Sequence, residues 1–287
     1  MEAIALGDRG EELRRQRVFT PRGDYAATLE TIRILVHGLE RDFGPAASVG
    51  VGHPGATSKT TGLIKNANST WLNGQPFAHD ISTALDRPVA CANDADCFTL
   101  SEATDGVGVV APVLFGVIVG TGTGAGIVHY GRLIAGVNAI TGEWGHNPMP
   151  WPTSDEWPGP PCYCGRTGCI ETFLSGPGLS EDYAAHGGSR ISALEVASRA
   201  ESGDEIADAS LTRYCDRMAR ALASVINILD PDAIVVGGGM SNIPRLYSEV
   251  PKRWRQYVFS DHVTTRFLRP RHGDSSGVRG AAWLQPR

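Results

Sequence analysis

The sequence predicts an α/β protein in which one strand-and-helix unit occurs twice. Three observations predict it. Short, β-branched apolar runs recur along the 287 residues and end in glycine clusters, where a strand can turn tightly against a ligand or a helix start. Segments with helical spacing of apolar residues lie between those runs. The order of runs and helices in the second half repeats that of the first. With 41% hydrophobic and 20% charged residues, the chain can bury one large core or two smaller ones. A net charge of -5 offers no basic field for nucleic acid, and no apolar run reaches membrane-spanning length.

Taken in order, Glu2 to Leu6 reads as a strand, Asp8-Arg9-Gly10 as a turn and Leu13 to Phe19 as a returning strand. Tyr25 to Phe43 has helical spacing, and Ser48 to Gly52 is a strand running into His53-Pro54-Gly55. Pro88 to Ala92 reads as a buried strand, with Asn93-Asp94 at its end and a helix from Ala95 to Ala103. In the second half, Val113 to Val119 ends in G-T-G-T-G-A-G, Gly120 to Gly126. A strand from Ile127 to Tyr130 then turns at Gly131 into a third near Leu133 to Ala135. Leu211 to Leu229 is helical and stops at Asp230-Pro231, and the strand Ala233 to Val236 runs into Gly237-Gly238-Gly239. The second unit begins with a strand and a glycine turn, whereas the first begins at its second strand. The repeat therefore predicts a further strand and glycine-rich turn ahead of Met1, the alternative being an imperfect repeat.

Half of the six cysteines fall in C-Y-C-G-R-T-G-C, Cys162 to Cys169, and His146 precedes them by a loop rich in proline and tryptophan. Such a loop cannot continue a helix or a central strand. A structural zinc held by His146, Cys162, Cys164 and Cys169 would fix it, as a closed site of three thiolates and one imidazole. The competing reading is three buried or reactive cysteines and an unrelated histidine. Cys91, Cys97 and Cys215 stand singly in apolar surroundings, which suits a reducing cytoplasm rather than disulfides.

Alternating glycine and threonine over Gly120, Thr121, Gly122, Thr123 and Gly124 leaves N–H groups and small hydroxyls facing outward as an anion nest. The same residues also suit a plain tight turn. Gly238 and Gly239, after a buried strand, either admit a nucleotide or serve close helix packing. Asp94, at the end of a strand in an α/β crevice, reads equally as a base accepting a hydroxyl proton or as a helix cap. Asn66, Asn68, Asn93, Glu143, His146 and Glu171, in turn-rich settings, suit the many hydroxyls of a sugar.

Together G-E-W-G-H-N-P, C-Y-C-G-R-T-G-C-I-E-T-F, G-T-G-T-G-A-G, A-N-D-A-D and N-I-L-D-P-D-A-I-V-V-G-G-G-M-S-N resemble the ROK family of bacterial sugar kinases and related repressors over nearly the whole chain. K-N-A-N-S-T-W-L-N-G-Q-P-F and H-G-D-S-S-G-V-R-G-A-A-W-L look closest to its fructokinase and manno(fructo)kinase members. The resemblance implies the actin-like ATPase (ribonuclease H-like) fold, two lobes each on a β-β-β-α-β-α-β core. Residues 1–106, completed by 275–287, would form the small lobe, and 107–274 the large lobe with the zinc loop and nucleotide site. It further implies phosphorylation of a hexose by ATP, fructose to fructose 6-phosphate, with Asp94 as general base. Asn68, Asn93, Glu143, His146 and Glu171 would bind the sugar, His146 with one ring nitrogen on zinc and the other on substrate. Gly120 to Gly124 would hold the phosphates, Gly238 and Gly239 would lie near the adenosine, magnesium would come with ATP, and two copies would pair as a homodimer. Family kinases begin with D-x-G-G-T-K, a phosphate loop that matches nothing in Met1 to Asp8. A sugar-binding protein with impaired catalysis and a ROK-type transcriptional regulator are the other function classes.

Overall fold

The repeated order of strands and helices takes shape in a computed structural model that describes residues 1–273 and 276–284. Of the segment expected to complete the small lobe, residue 275 and residues 285–287 lie outside the described residues. The chain runs β1 (Glu2–Leu6), β2 (Glu12–Arg17), α1 (Tyr25–Phe43), β3 (Gly50–His53), β4 (Ala56–Thr57), β5 (Ile64–Lys65), α2 (Phe77–Ala84), β6 (Ala90–Asn93) and α3 (Asp94–Thr104). It continues through β7 (Val113–Val119), β8 (Thr123–His129), β9 (Arg132–Leu133), α4 (Ile170–Phe173), α5 (Gly176–Ala185), α6 (Ala193–Glu201) and α7 (Glu205–Leu229). β10 (Ala233–Gly237), α8 (Pro244–Trp254), β11 (Arg266–Leu268) and α9 (Ser276–Ala282) complete it.

Local chemistry sets the helix ends. Asp24 caps α1 by accepting from the N–H of Ala27, and the helix stops at Gly44, whose φ of 88° suits glycine. Asp204 caps α7 through the N–H of Ala207, so that helix starts at Glu205, earlier than the apolar period alone places it. Polar first-turn residues hide a helix start from a reading based on hydrophobic spacing.

In the first half, β1 and β2 form an antiparallel hairpin, β3 and β6 a parallel pair, and β4 and β5 a short antiparallel hairpin. No ladder joins β1 to β3 among the described residues. Helix α9 packs against both of them, and at Gly50 of β3 a side chain would collide with the carbonyl of Ala281. Val49, Ile64, Leu72, Phe77, Ile81 and Leu85 form a small core beneath α1 and α2.

The second half holds a five-stranded sheet in the order β11-β10-β7-β8-β9, with β7 parallel to β10 and antiparallel to β8. Here the glycine motif differs from the expected loop. β8 begins at Thr123, and Gly124 and Gly126 pair with Ile118 and Gly116 inside the ladder, so only residues 120–122 turn. The reason is α3, which lies flat on these strands: a Cβ at Gly126 would stand 2.6 Å from Thr99 Oγ1 and 2.9 Å from Asp96 Cα. Gly126 therefore makes room for the helix. The larger core lies on the other side of this sheet and includes Phe115, Val117, Leu179, Tyr214, Leu222, Ile234 and Trp254. Helix α3 also touches β3, β6 and α9, which makes it the element shared by both halves. No helix among the described residues is long and apolar enough to cross a membrane.

Candidate active site

The site centres on the N-terminus of α3. Asn93 ends β6 with extended backbone and caps the helix, its Oδ1 accepting from the N–H of Ala95 at 2.8 Å. Its amide nitrogen donates to the Gly55 carbonyl at 2.8 Å, so both ends of Asn93, expected on the sugar, are engaged by protein. Asp94 is the first helical residue, and its Oδ1 also accepts from Ala95 N–H, at 2.9 Å. Asn93 thus takes the capping position and leaves one carboxylate oxygen of Asp94 outside that bond. Asp94 is exposed, yet enough protein crowds its carboxylate that desolvation raises its pKa, against the backbone N–H groups that favour the anion.

Three further carboxylates, Asp96, Glu143 and Glu171, share this region. Asp96, two residues further along α3, is pushed up to about 7, chiefly by burial and then by the charges of Asp94 and Glu143. Its Oδ1 is buried without a hydrogen-bond partner. Glu143 is half-buried and raised by burial, with Asp94 and Glu171 adding to the shift and Lys65 opposing it. Glu171 sits at the start of α4, and its Oε2 accepts from the N–H of Thr123 at 2.8 Å, which ties it to the glycine turn. Asn68 is exposed on the loop that follows β5.

The glycine turn faces a second set of groups. Gly120 and Gly239 have nothing within 4 Å of the place a Cβ would occupy, whereas Gly238, at φ 76°, is pressed against the backbone of Val119. Thr121 is exposed, as an anion nest requires. Thr123 is not: its hydroxyl is buried and donates to the Leu174 carbonyl at 2.6 Å, because position 123 belongs to the strand rather than the loop. The carbonyl of Gly120 accepts from Gly176 N–H at 2.7 Å, which brings the N-terminus of α5 beside the turn. A Cβ on Gly176 would lie 3.3 Å from that carbonyl and 4.0 Å from Met240 Sδ, so the turn, α5 and the Gly238–Gly239 segment converge. The S-G-P-G run at Ser175–Gly178 carried the signal for this helix start, with Ser175 as cap and proline in the first turn.

The cysteine and histidine motif closes as its spacing predicts. The ligand atoms of His146, Cys162, Cys164 and Cys169 all lie within 4.8 Å of one another. Cys162 Sγ is 3.6 Å from His146 Nδ1, and Cys164 Sγ is 3.6 Å from Cys169 Sγ. Zinc–sulfur and zinc–nitrogen bonds of about 2.3 and 2.0–2.1 Å in a tetrahedron put ligand atoms about 3.5 to 3.8 Å apart, so the donor set and its spacing fit that ion. The other ring nitrogen of His146, expected to face the sugar, meets the hydroxyl of Tyr163 at 3.0 Å. The two rings pack edge to face, and nothing in the spacing of the motif signals that tyrosine.

Comparison with known proteins places this geometry. The model of the ROK family matches residues 1–287. The N-acetyl-D-glucosamine kinase of Escherichia coli O6:H1 is 40% identical over 288 residues, covering 98% of this chain and 95% of that protein. The crystal structure of a ROK hexokinase from Thermus thermophilus is similar with a TM-score of 0.84 and 26% identity, covering 98% of this chain and 97% of that one. A ROK family glucokinase from Streptomyces griseus, crystallised with glucose and AMPPNP, shares the fold at a TM-score of 0.78 and 24% identity, covering 97% and 93%.

Proposed function

The chain belongs to the ROK family and has the actin-like ATPase fold, and from that premise we propose that it transfers the γ-phosphoryl group of Mg–ATP to a hydroxyl of N-acetylglucosamine or a closely related hexose. The substrate rests on one observation, the 40% identity to an N-acetyl-D-glucosamine kinase across nearly the full chain. Fructose, expected from local sequence likeness, gives way here to the substrate named by this full-length similarity.

In this reading Asp94 takes the proton of the attacking hydroxyl as its oxygen bonds to the γ-phosphorus and the bond to ADP breaks. Its raised pKa keeps it nearer the range in which a carboxylate can accept and later release that proton. Glu143 and the exposed Asn68 would bind sugar hydroxyls, joined by a free oxygen of Glu171, while Asn93 and His146 would act by holding the pocket walls. Gly120, Thr121 and Gly122, with the N-terminus of α5, would take the phosphates, and Gly239 would leave room for the nucleoside. His146, Cys162, Cys164 and Cys169 would hold zinc, which as a closed four-ligand site shapes the loop and performs no chemistry. Division into a small lobe of residues 1–106 completed by 275–287 and a large lobe of residues 107–274, and assembly of two copies, belong to the same proposal.

The test is ADP release by the purified chain with N-acetylglucosamine, glucose and fructose offered separately. N-acetylglucosamine is expected to give the highest kcat/KM, and a preference for fructose would overturn the substrate. Asp94→Asn should lower turnover by at least about a hundredfold with little change in sugar binding. Near-normal turnover in that variant would remove Asp94 from the chemistry.

A further inference from the structure

Two lysines of the β4–β5 hairpin reach out of the first half of the chain to the loop of residues 134–142 in the second. Lys65 Nζ donates to the Asn138 carbonyl at 3.1 Å, and Lys59 Nζ donates to the Gly136 carbonyl. Both carbonyls belong to a stretch bent by two positive-φ residues, Gly136 and Ala139, with φ of 59° and 51°. The partners stand 73 and 77 residues apart in sequence, so these bonds exist only while the two halves are together.

The hairpin and the loop both adjoin residues of the candidate site. Gly55, just before β4, accepts from Asn93 at the α3 N-terminus, and a Cβ there would lie 2.7 Å from Ala67 N, so the hairpin stem is seated beside Asp94. Lys65 is followed directly by Asn66 and Asn68, while the loop runs straight into Glu143, whose carboxylate feels the Lys65 charge. We propose that Lys59 and Lys65 form a clasp across the sugar cleft, acting as positioning residues that hold Asn68 opposite Glu143 when the two halves close. The inference rests on the sugar-kinase reading for its substrate but not for its geometry.

Exposed charge-assisted bonds are individually weak, and each should favour the closed arrangement by roughly two- to fivefold, the pair by roughly an order of magnitude. A ligand that binds the closed form pays the cost of closing in apparent affinity, so loss of the clasp appears in KM more than in kcat. Methionine keeps the stem of lysine and removes its donor, which makes Lys59→Met with Lys65→Met the direct test on the full chain. Small-angle scattering without ligand should show a larger radius of gyration in the double variant than in the wild type. The KM for N-acetylglucosamine at saturating ATP should rise by about two- to fivefold if the unliganded wild type is half closed or more, kcat should fall by less than KM rises, and Lys65→Arg should recover most of the single-site loss. Unchanged scattering and KM in the double variant would overturn the clasp, as would a loss confined to kcat. If the wild type phosphorylates no sugar, the functional reading fails by itself, and the scattering comparison still judges the clasp.

Discussion

Asp96 shows how one residue can carry information that its position in a motif does not. It sits in the first turn of α3, where the helix dipole favours an anion, yet burial and the charges of Asp94 and Glu143 push it up to about 7. The ordinary aspartate value is 3.8, so the unfolded chain loses this proton first. Whatever Asp96 contributes to stability is therefore complete below 3.8 and is lost as pH rises through about 7. Asp96→Asn removes the titration and nearly preserves the shape. Its melting temperature should match the wild type near pH 4 and exceed it at pH 8. An equal difference at both pH values would mean that the carboxylate is not held in its neutral form.

The loop between β9 and α4 illustrates how an irregular element is held at two anchors. One is the set of four candidate zinc ligands. The other is Glu156, between His146 and Cys162 in the chain and buried against α7, its carboxylate paired with Arg217 at 2.7 Å and Arg220 at 2.7 Å. Arg217 also pairs with Asp182 of α5 at 2.7 Å, so the charges compensate one another in the interior. The hydrogen bonds of the two arginines outweigh the burial that would raise Glu156 and hold its carboxyl at about 2. Removing the charge from such a pair leaves the arginines buried and undercompensated, at a cost of about 3 to 5 kcal/mol. Glu156→Gln should thus lower the melting temperature sharply without changing metal content. Cys164→Ser should release the zinc, by elemental analysis, and weaken sugar affinity through the slackened His146 anchor. A wild-type chain purified without zinc would end the metal reading while leaving the Glu156 anchor standing.

At the scale of the whole molecule the two halves are unequally built. β7 and β10 are hydrogen-bonded on both edges and almost wholly buried, whereas β2 is mostly exposed and β1 is half-buried with β2 as its ladder partner. Local opening is easiest where few apolar contacts and many solvent-facing backbone bonds coincide. Amide exchange in β1 and β2 should therefore be at least about a hundredfold faster than in β7 and β10. Equal protection across the two halves would show that the molecule opens as one unit. Helix α3 touches strands of both halves, so its amides should follow the slower half, through Thr99 packed at Gly126 and Gly116.

Periodicity alone was enough to read α1, β7 and the cores of α7 and β10, because their burial is set by local repeats of apolar side chains. The Cys162–Cys169 spacing likewise announced a cluster that the fold completes with His146, since three of its four ligands are close in sequence. Other features needed distant partners. Whether Thr123 faces a phosphate or a core depended on where β8 begins, and that was decided by α3 lying on Gly124 and Gly126. Whether Asp94 caps a helix depended on Asn93 taking the cap. The raised Asp96, the Tyr163 contact to His146 and the reach of Lys59 and Lys65 across the cleft arise between segments far apart in the chain. A sequence determines which groups are present and how they alternate along a strand or helix. Desolvation and charge coupling depend on what stands opposite in space, and only the tertiary structure decides that.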